Sequence, residues 1–364
     1  MAKEIKVAII GAGMIANAGH IPAWRNLPEA EIVGVADKRT ESAQQVAERH
    51  QIPHAYGDPA QMLAELKPDV VSVCTPNMYH KEHTLLALRA GAHVWCEKPV
   101  ATRYADALEM FETAQAAGRV LFIGQSGRFG NVALAAKEFA ARGQLGEVYY
   151  AETAALRRRG VPTWGLFHMK EHSGGGALYD IGVHALDLLL WIIGNPRVIA
   201  ASGQTYTKLA NRAEGLVTSL ADSGAPVGVF TPRPYDYREF DVEDMAAGFL
   251  RLENQITITI RASWAANVPE GMGGTVILGT EGGLRLDPLT LVRNMGSYQV
   301  DVTPRVPADP DIPFYGHWKE AEHLVRVLRG EEKLIVQREE VLNVIRALEG
   351  LYRSAAEGRE IRLD

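Results

Sequence analysis

Apolar residues form short runs in the first third of the chain, at residues 5–10, 31–36, 70–74, 93–97 and 120–124. Such runs are typical of strands, and the run at 70–74 is apolar enough for burial on both faces. Helical patterns lie between most of these runs, at residues 40–49, 59–65, 81–90 and 104–117. Strands that alternate with helices of this length predict a parallel, doubly wound sheet.

The pattern changes after Gln125. Residues 147–157 alternate apolar and polar positions, as an antiparallel strand with one buried face does. More strand candidates follow with few helices between them, at residues 198–206, 242–252, 255–263, 275–278 and 283–286. Two helices are predicted near the end of the chain, and residues 215–224 and 303–313 suggest irregular loops. We therefore expect an α/β chain with a parallel sheet in residues 1–125 and an α+β domain on a large, mostly antiparallel sheet in residues 126–364.

Charge and composition exclude several classes of protein. The formal net charge is −6 and no basic run suggests nucleic acid, so we expect no nucleic-acid partner. The longest apolar run, at residues 185–193, is interrupted by Asp187 and is short for a bilayer, so we expect no membrane span. The only cysteines, Cys74 and Cys96, lie in apolar runs, which indicates reduced core thiols and no structural zinc. With no secretory signal at its start, the chain is expected to be cytoplasmic.

A glycine turn follows the first predicted strand. Its sequence, Gly11-Ala12-Gly13-Met14-Ile15-Ala16, has the G-x-G-x-x-A spacing and opens a helical stretch. Gly11 would permit the tight turn, and Gly13 would let the backbone approach a pyrophosphate. Ala16 would keep the helix close to the sheet, with the helix N-terminus facing the anion. This context predicts a dinucleotide site of the Rossmann type.

Asp37 ends the second predicted strand, 21 residues after Ala16 by the sequence numbering. An acidic residue at this spacing binds the ribose hydroxyls in dinucleotide folds and disfavours a 2′-phosphate, so NAD is the expected cofactor. Lys38 and Arg39 could bind that phosphate, which keeps NADP possible. The alternative is that Asp37 caps the helix that begins near Thr40.

Two more motifs follow strand candidates. Thr75-Pro76-Asn77 and His80 come after the run at 70–74, where Asn77 and His80 could line a cofactor groove; His80 could instead cap its own helix. Cys96-Glu97-Lys98-Pro99 ends the next strand. The proline restricts the backbone, so Lys98 should have a fixed orientation. A lysine in such a crevice can handle protons. The alternative is a surface lysine paired with Glu97.

One helix of the second half carries a polar pair. It follows three glycines at 174–176, and it ends near Gly194. Asp180 and His184 are four residues apart and so share one face, with Asp187 one turn further on that side. The other positions are apolar, so the helix should be buried and its polar groups paired or facing a cavity. Alternatively, Asp180 caps the helix and His184 makes a core hydrogen bond.

Together these motifs resemble the Gfo/Idh/MocA family of nicotinamide-dependent sugar and cyclitol oxidoreductases. The resemblance rests on the glycine turn, Thr75-Pro76-Asn77 with His80, Glu97-Lys98-Pro99, and Gly176 through Asp180 to His184, in the same order and spacing. It implies an NAD(P)-binding Rossmann domain in residues 1–125, and a substrate-binding and oligomerisation domain in residues 126–364. It also implies a homodimer or homotetramer that binds a sugar or cyclitol.

The resemblance assigns roles to individual residues. Lys98, Asp180 and His184 would form the catalytic set, and Arg128, Arg157 and Trp164, with Asp180 and His184, would contact the substrate. The cofactor contacts would come from Gly11, Gly13, Met14, Ile15, Asp37, Lys38, Thr75, Pro76, Asn77, His80, Glu97 and Lys98. No metal site is implied.

The expected chemistry is oxidation of a secondary hydroxyl, or reduction of the corresponding ketone, with a hydride moving to or from nicotinamide. His184 would accept the hydroxyl proton, and Lys98 would stabilise the developing negative charge, although these two roles could be exchanged. Asp180 would orient the sugar or tune His184. Residues 157–159 could bind an anionic group, or form a solvated basic loop.

Other functions remain open at this point. The substrate could be a sugar phosphate, an aminosugar precursor, or a diaryl or dihydrodiol compound. The chain could also be the NAD-dependent glycosidase variant of the family, in which oxidation permits elimination of a glycosidic bond. A non-enzymatic NAD-dependent sensor would keep Gly11, Gly13 and Asp37 but would not need Lys98 and His184.

Overall fold

The computed structural model describes residues 5–213, 228–230, 232–269 and 271–363, which form two compact units. The first unit comprises residues 5–126, 228–230, 232–233 and 310–338, and the second comprises residues 127–213, 234–269, 271–309 and 339–363. The first unit therefore takes up a segment near the end of the chain. The boundary expected after residue 125, and the roles assigned on each side of it, stay predictions.

Six parallel strands form the sheet of the first unit, in the order β3-β2-β1-β4-β5-β6. The strands are β1 Ile5–Ile10, β2 Ala30–Ala36, β3 His54–Tyr56, β4 Val70–Val73, β5 His93–Cys96 and β6 Leu121–Ile123. The chain reverses its direction of winding between β1 and β4, which is the point where doubly wound sheets bind ligands.

Helices connect these strands and cover the sheet. They are α1 Ile21–Arg25, α2 Thr40–Arg49, α3 Pro59–Leu66, α4 His80–Arg89, α5 Tyr104–Ala116 and, from the later segment, α9 Tyr315–Leu328. A π-helical turn, Ala16–His20, leads into α1, and α9 packs against α1. All four residues of β4 are buried, as a strand covered on both faces requires.

Nine strands form the sheet of the second unit, in the order β14-β13-β12-β11-β7-β10-β9-β8-β15. Every neighbouring pair is antiparallel except β7 with β10. The strands are β7 Val148–Leu156, β8 Val198–Tyr206, β9 Met245–Leu252, β10 Thr257–Ser263, β11 Gly274–Gly279, β12 Gly282–Leu286, β13 Leu289–Met295, β14 Tyr298–Val302 and β15 Ile361–Arg362.

The helices of the second unit are α6 Asn131–Ala141, α7 Lys170–Ser173, α8 Val183–Ile192 and α10 Arg338–Glu357, and a π-helical turn, Leu178–Gly182, leads into α8. Helix α10 lies close to the sheet at two glycines. A Cβ on Gly248 would lie 2.3 Å from the Leu351 side chain, and one on Gly203 would lie 3.0 Å from it. These positions need glycine so that the leucine can reach the sheet.

The predicted fold class is confirmed, because the chain has a parallel six-stranded sheet and a large, mostly antiparallel one. The short strand β3 and the hairpin of β13 with β14 were not predicted. The loop expected at 303–313 has neither helix nor strand, whereas the loop expected at 215–224 lies outside the described residues.

One helical stretch of the described chain, Lys170–Ile192, is long and apolar enough, by length and composition alone, to cross a membrane. However, 72% of its most apolar window is buried in the protein. The core helix of a globular unit shows the same burial, so the stretch is weak evidence for a membrane span.

Candidate active site

The loops after β1, β4 and β5 lie side by side at one edge of the first sheet, because these strands are parallel neighbours. They carry the glycine turn, Thr75-Pro76-Asn77 and Glu97-Lys98-Pro99, respectively. Ligands of doubly wound sheets bind at this edge. The structure therefore brings the predicted cofactor motifs of the first unit together.

The glycine turn has the shape that a pyrophosphate requires. Gly11 has a φ of 101°, and a Cβ there would lie 2.7 Å from the carbonyl of Cys74, so only glycine fits. A Cβ on Gly13 would meet no atom within 4 Å, so the backbone there is open to a ligand. The Asn17 amide braces the turn by donating to the carbonyls of Ala12 at 3.0 Å and Gly13 at 2.7 Å. These residues fit a dinucleotide.

Asp37 is joined to the glycine turn. Its Oδ2 accepts the backbone N–H of Ala12 at 2.9 Å, and its Oδ1 accepts the backbone N–H of Arg39 at 2.9 Å. The residue that caps α2 is Arg39, so Asp37 does not have the capping role that was its alternative. The carboxylate lies beside the turn, where an acid can bind ribose hydroxyls, and Lys38 is exposed next to it.

His80 connects two of the loops at this edge. Its ring is buried, with Nδ1 2.7 Å from the carbonyl oxygen of Pro99 and Nε2 2.8 Å from that of Thr75. It provides no side-chain cap for α4. Burial lowers the pKa of His80, which favours the neutral ring with one N–H to donate. The neutral ring can donate to only one of the two carbonyls, so His80 fills the space between the loop of Thr75 and the loop of Lys98 and bonds to one of them. Its predicted contact with the cofactor stays a prediction.

Glu97 is buried beside two histidines that the sequence analysis did not identify. Its Oε1 lies 2.9 Å from Nε2 of His20 and 3.2 Å from Nε2 of His317, and its Oε2 accepts the backbone N–H of Lys98 at 3.2 Å. Burial alone would raise the pKa of Glu97, but the hydrogen bonds from both imidazoles hold it well below its usual range. Glu97 therefore fixes the backbone of Lys98.

The same three side chains place their potential ligand atoms within 4.8 Å of one another. Among the described residues this is the group that could hold a metal ion. Both contacts of the Glu97 carboxylate with imidazole have ordinary hydrogen-bond lengths, so protons suffice to explain the arrangement. Nothing in the spacing of His20, Glu97 and His317 along the chain could have signalled it.

In the second unit, Asp180 lies in the π-helical turn and His184 lies in the first turn of α8, and both are partly exposed. The Asp180 carboxylate accepts the indole N–H of Trp264 at 2.9 Å. The cap residue of the turn is Ala177, so Asp180 does not cap the helix. Single π-helical turns occur often at functional sites. The predicted pair thus lies on one helix, with Asp180 held in place by the indole.

Asp187 belongs to the polar groups of this helix that were expected to be paired or to face a cavity, and it is paired. It is buried and forms a two-pronged ion pair with Arg128, at 2.8 Å from Nε and 2.6 Å from Nη2. Arg128 is 1% exposed and also pairs with Glu340. This placement favours a role for Arg128 in holding α8, and a contact with substrate stays a prediction that the burial does not support.

The two other predicted substrate residues lie in the loop after β7. Arg157 is partly exposed and donates to the carbonyl of Gly160 at 3.2 Å. Trp164 is 9% exposed, and its indole N–H has no acceptor among the described residues. A buried indole N–H normally finds a partner, so Trp164 could donate to a bound hydroxyl.

The basic loop also lines a pocket of about 560 Å³. Its lining residues are Arg158, Arg159, Ala266, Asn267, Val268 and Pro269. Arg159 is directed towards protein atoms, since its Nη2 donates to Asn267 at 2.9 Å. The choice between the predicted anion site and its alternative, a solvated loop, therefore depends mainly on Arg158. It would contact an anion in the first case and water in the second.

Comparison with known protein families covers both units. Residues 5–125 match the model of the GFO_IDH_MocA oxidoreductase family, described as an NAD-binding Rossmann fold. Residues 133–285 match the model of the GFO/IDH/MocA C-terminal domain.

Relatives of known name match over nearly the whole chain. D-glucoside 3-dehydrogenase of Escherichia coli is 34% identical over 360 residues, which cover 99% of this chain and 97% of that one. The scyllo-inositol 2-dehydrogenase (NADP(+)) of Bacillus subtilis is 26% identical and covers 99% of this chain and 96% of its own. Among solved structures, the aldose-aldose oxidoreductase of Caulobacter crescentus, complexed with glycerol, aligns with a TM-score of 0.77 at 25% identity, over 99% of this chain and 100% of that one.

Proposed function

The chain belongs to the Gfo/Idh/MocA family of oxidoreductases with an NAD-binding Rossmann fold, and we propose that it oxidises a secondary hydroxyl of a sugar ring. It is a dehydrogenase, and NAD is its cofactor. The observation that carries the proposal is the 34% identity to a D-glucoside 3-dehydrogenase over 99% of the chain. A glucoside oxidised at position 3 is therefore our first candidate substrate, and other sugars and cyclitols come after it.

The cofactor would be held by the first unit. The open backbone at Gly13, with Met14 and Ile15 after it, would bind the pyrophosphate, and the Asp37 carboxylate would bind the ribose hydroxyls. When bound, NAD accepts the hydride that leaves the sugar carbon. Asp37 favours NAD over NADP, whereas Lys38 and Arg39, both exposed, would give NADP residual binding.

Lys98, Asp180 and His184 would serve the proton part of the reaction. His184 would accept the hydroxyl proton, because an unperturbed imidazole, with a pKa of about 6.5, can take up a proton near neutral pH. The Lys98 ammonium would stabilise the negative charge that develops on the substrate oxygen. Asp180, oriented by Trp264, would hold a neighbouring sugar hydroxyl. Lys98 and His184 can exchange these two roles without any change in the balance of protons.

Polar groups in the second unit suit a sugar. The unpartnered indole N–H of the buried Trp164 would find its acceptor in a sugar hydroxyl, and Arg157 is partly exposed in the same loop. Indole also offers a flat apolar surface to a sugar ring. These contacts support a neutral polyhydroxylated substrate without excluding a charged one, which Arg158 would bind.

We also propose that the enzyme works as a cytoplasmic homo-oligomer. Large apolar side chains are exposed on the second sheet, including Tyr149 at 51%, Met295 at 65% and Tyr298 at 77%. Covering them would bury apolar surface that otherwise contacts water. Light scattering at micromolar concentration should find a dimer or tetramer, and a monomer alone would contradict this part of the proposal.

A substrate screen tests the main proposal. The purified protein is incubated with NAD or NADP and with methyl glucosides, free sugars, inositols and an aryl glucoside, and the absorbance of reduced nicotinamide is followed. We expect NAD reduction with a glucoside, and a ketone at position 3 in the isolated product. Release of the aryl group without a ketone product would identify the glycosidase alternative. Cofactor binding with no turnover of any sugar would contradict the proposed substrate class.

A further inference from the structure

The Asp180 carboxylate is held by a residue that is distant along the chain. The indole Nε1 of Trp264, which is completely buried, donates to Oδ2 of Asp180 at 2.9 Å. Trp264 follows the last residue of β10 and is itself anchored. Its backbone N–H donates to the carbonyl of Asp244 at 2.8 Å, and its own carbonyl accepts the N–H of Gly160 at 2.8 Å. The indole therefore has little freedom to move away from the carboxylate.

The turn that carries Asp180 is fixed separately, by a buried carboxylate. Glu243 is 5% exposed, its Oε2 accepts the N–H of Gly176 at 2.9 Å, and its Oε1 accepts the N–H of Leu178 at 2.9 Å. The hydroxyl of Tyr352, from α10, donates to the same Oε1 at 2.7 Å. An acidic group at a helix start satisfies free N–H groups and complements the helix dipole.

Close contact explains the glycine at the start of this turn. A Cβ on Gly176 would lie 2.0 Å from the backbone oxygen of Glu243, so no larger residue fits there. The N–H of Ala177 also donates to that oxygen at 3.3 Å. Both the side chain and the main chain of Glu243 thus hold the backbone from which Asp180 projects.

Glu243 and Asp244 are consecutive, so one short segment before β9 fixes both ends of the arrangement. Glu243 holds the turn that bears Asp180, and the Asp244 carbonyl holds the backbone of Trp264. The carboxylate of an unrestrained side chain can rotate. Here the backbone of Asp180 and one oxygen of its carboxylate are both fixed. Such double fixing is more than helix stability requires, and it is what precise placement of a reacting group requires.

We propose that Trp264 is a positioning residue that presents the Asp180 carboxylate to a hydroxyl of the substrate, in a frame set by Glu243. This inference rests on the proposed function, since it assigns Asp180 to substrate orientation. The indole N–H fixes the orientation from which the Asp180 carboxylate would accept a sugar hydroxyl next to the reacting one. The sequence offered no signal for Trp264 or Glu243, because each lies more than sixty residues from its partner.

The test replaces the indole by a phenyl ring, which removes the N–H and keeps an aromatic side chain. Trp264→Phe should lower kcat/KM for the verified substrate by about tenfold or more, because a hydrogen bond to a charged group is lost. Affinity for NAD should stay within about twofold, because the dinucleotide motifs lie in the other unit. A second substrate, deoxygenated at the hydroxyl that Asp180 binds, should react equally slowly with both proteins.

Trp24→Phe is the matched control. Trp24 is also completely buried, and its indole N–H donates to Ser72 Oγ at 2.9 Å in the first unit. The Trp24→Phe variant should lose about as much thermal stability as Trp264→Phe and keep the kcat/KM of the wild type. If Trp264→Phe also keeps its kcat/KM on a substrate that the wild type turns over, the inference fails while the proposed function stands.

A milder variant covers the case in which Trp264→Phe does not fold. Tyr352→Phe removes only the hydroxyl that donates to Glu243 and leaves the ring contact with Tyr179, at 4.6 Å between centroids. It should lower kcat/KM severalfold with a melting temperature no lower than that of Trp24→Phe. Unchanged kcat/KM in Tyr352→Phe would overturn the inference in that case. Absence of sugar oxidation in the wild type would instead remove the proposed function.

Discussion

The carboxylate of Asp37 accepts the backbone N–H of Ala12 at 2.9 Å, so the end of the second strand is tied to the glycine turn. One oxygen of Asp37 therefore braces the loop that would bind the pyrophosphate. The same carboxylate lies where it would bind the ribose hydroxyls. We therefore expect the affinity for the cofactor and the choice between NAD and NADP to depend on this one side chain.

Replacement of Asp37 tests this link. Asp37→Ala should weaken NAD binding by about tenfold or more, because charge-assisted hydrogen bonds are lost. Binding of NADP should fall less, because removal of a carboxylate also removes repulsion of the 2′-phosphate. Titration of both reduced cofactors by fluorescence measures the change. Asp58→Ala is the control, since Asp58 accepts the N–H of Ala60 at the start of α3 without touching the turn. Tighter binding of NADP than of NAD by the wild type would contradict the assignment.

The buried group of His20 and Glu97 predicts how stability depends on pH. Burial holds the pKa of His20 below its ordinary value, so the folded protein keeps this ring neutral while the unfolded chain protonates it below about pH 6.5. The pKa of Glu97 is held well below its usual range by hydrogen bonds from the imidazoles, although burial opposes this. The stability that the Glu97 carboxylate gives the folded protein is therefore complete above about pH 4.5 and is lost as the pH falls further.

Both groups bind more protons in the unfolded state, so the melting temperature should fall as the pH is lowered from 7 to 4. His20→Gln keeps a donor for Glu97 and removes the titrating ring. Its melting temperature should be lower at pH 7 and should decline less steeply between pH 7 and 5. Calorimetry at a series of pH values measures both slopes, and equal slopes for variant and wild type would refute the assignment to His20.

The ion pair of Arg128 with Asp187 predicts a large effect on stability. Arg128→Met should lower the free energy of unfolding by about 3–5 kcal/mol, because it leaves a buried carboxylate without its partner. The double variant Arg128→Met with Asp187→Leu should lose much less than the sum of the single changes. Denaturant titration gives the free energies. If Arg128 contacts substrate instead, Arg128→Met would raise KM and leave the free energy of unfolding nearly unchanged.

Short-range signals made much of the fold and part of the site predictable. The glycine turn, Asp37 and the strand that precedes Lys98 are each contained in a few dozen residues, and their spacing has a direct physical meaning. The polar pair Asp180 and His184 was visible because four residues separate neighbours on one helix face. Asp187, the next polar position of that helix, was expected to be paired or to face a cavity, and it is paired with Arg128.

The parts that were missed depend on distant segments or on weak patterns. His20, Glu97 and His317 come from three separate stretches, and Glu243 and Trp264 each lie more than sixty residues from their partners at the start of the Asp180 helix. A single sequence carries no periodicity that connects such residues. The hairpin of β13 and β14 was also missed, because each strand carries only a short stretch of alternating apolar and polar residues, such as Tyr298–Val302.

The central claim is that Lys98 and His184 act on the proton of a sugar hydroxyl that NAD oxidises. The most direct measurement is kcat, from the absorbance of reduced nicotinamide, for Lys98→Ala, His184→Ala and the double variant with a verified sugar substrate. Each single change should lower kcat by roughly a hundredfold or more, with little change in NAD affinity. The double variant should lose much less than the product of the two losses, because both groups serve one proton transfer. Near-normal kcat in both single variants would contradict the account.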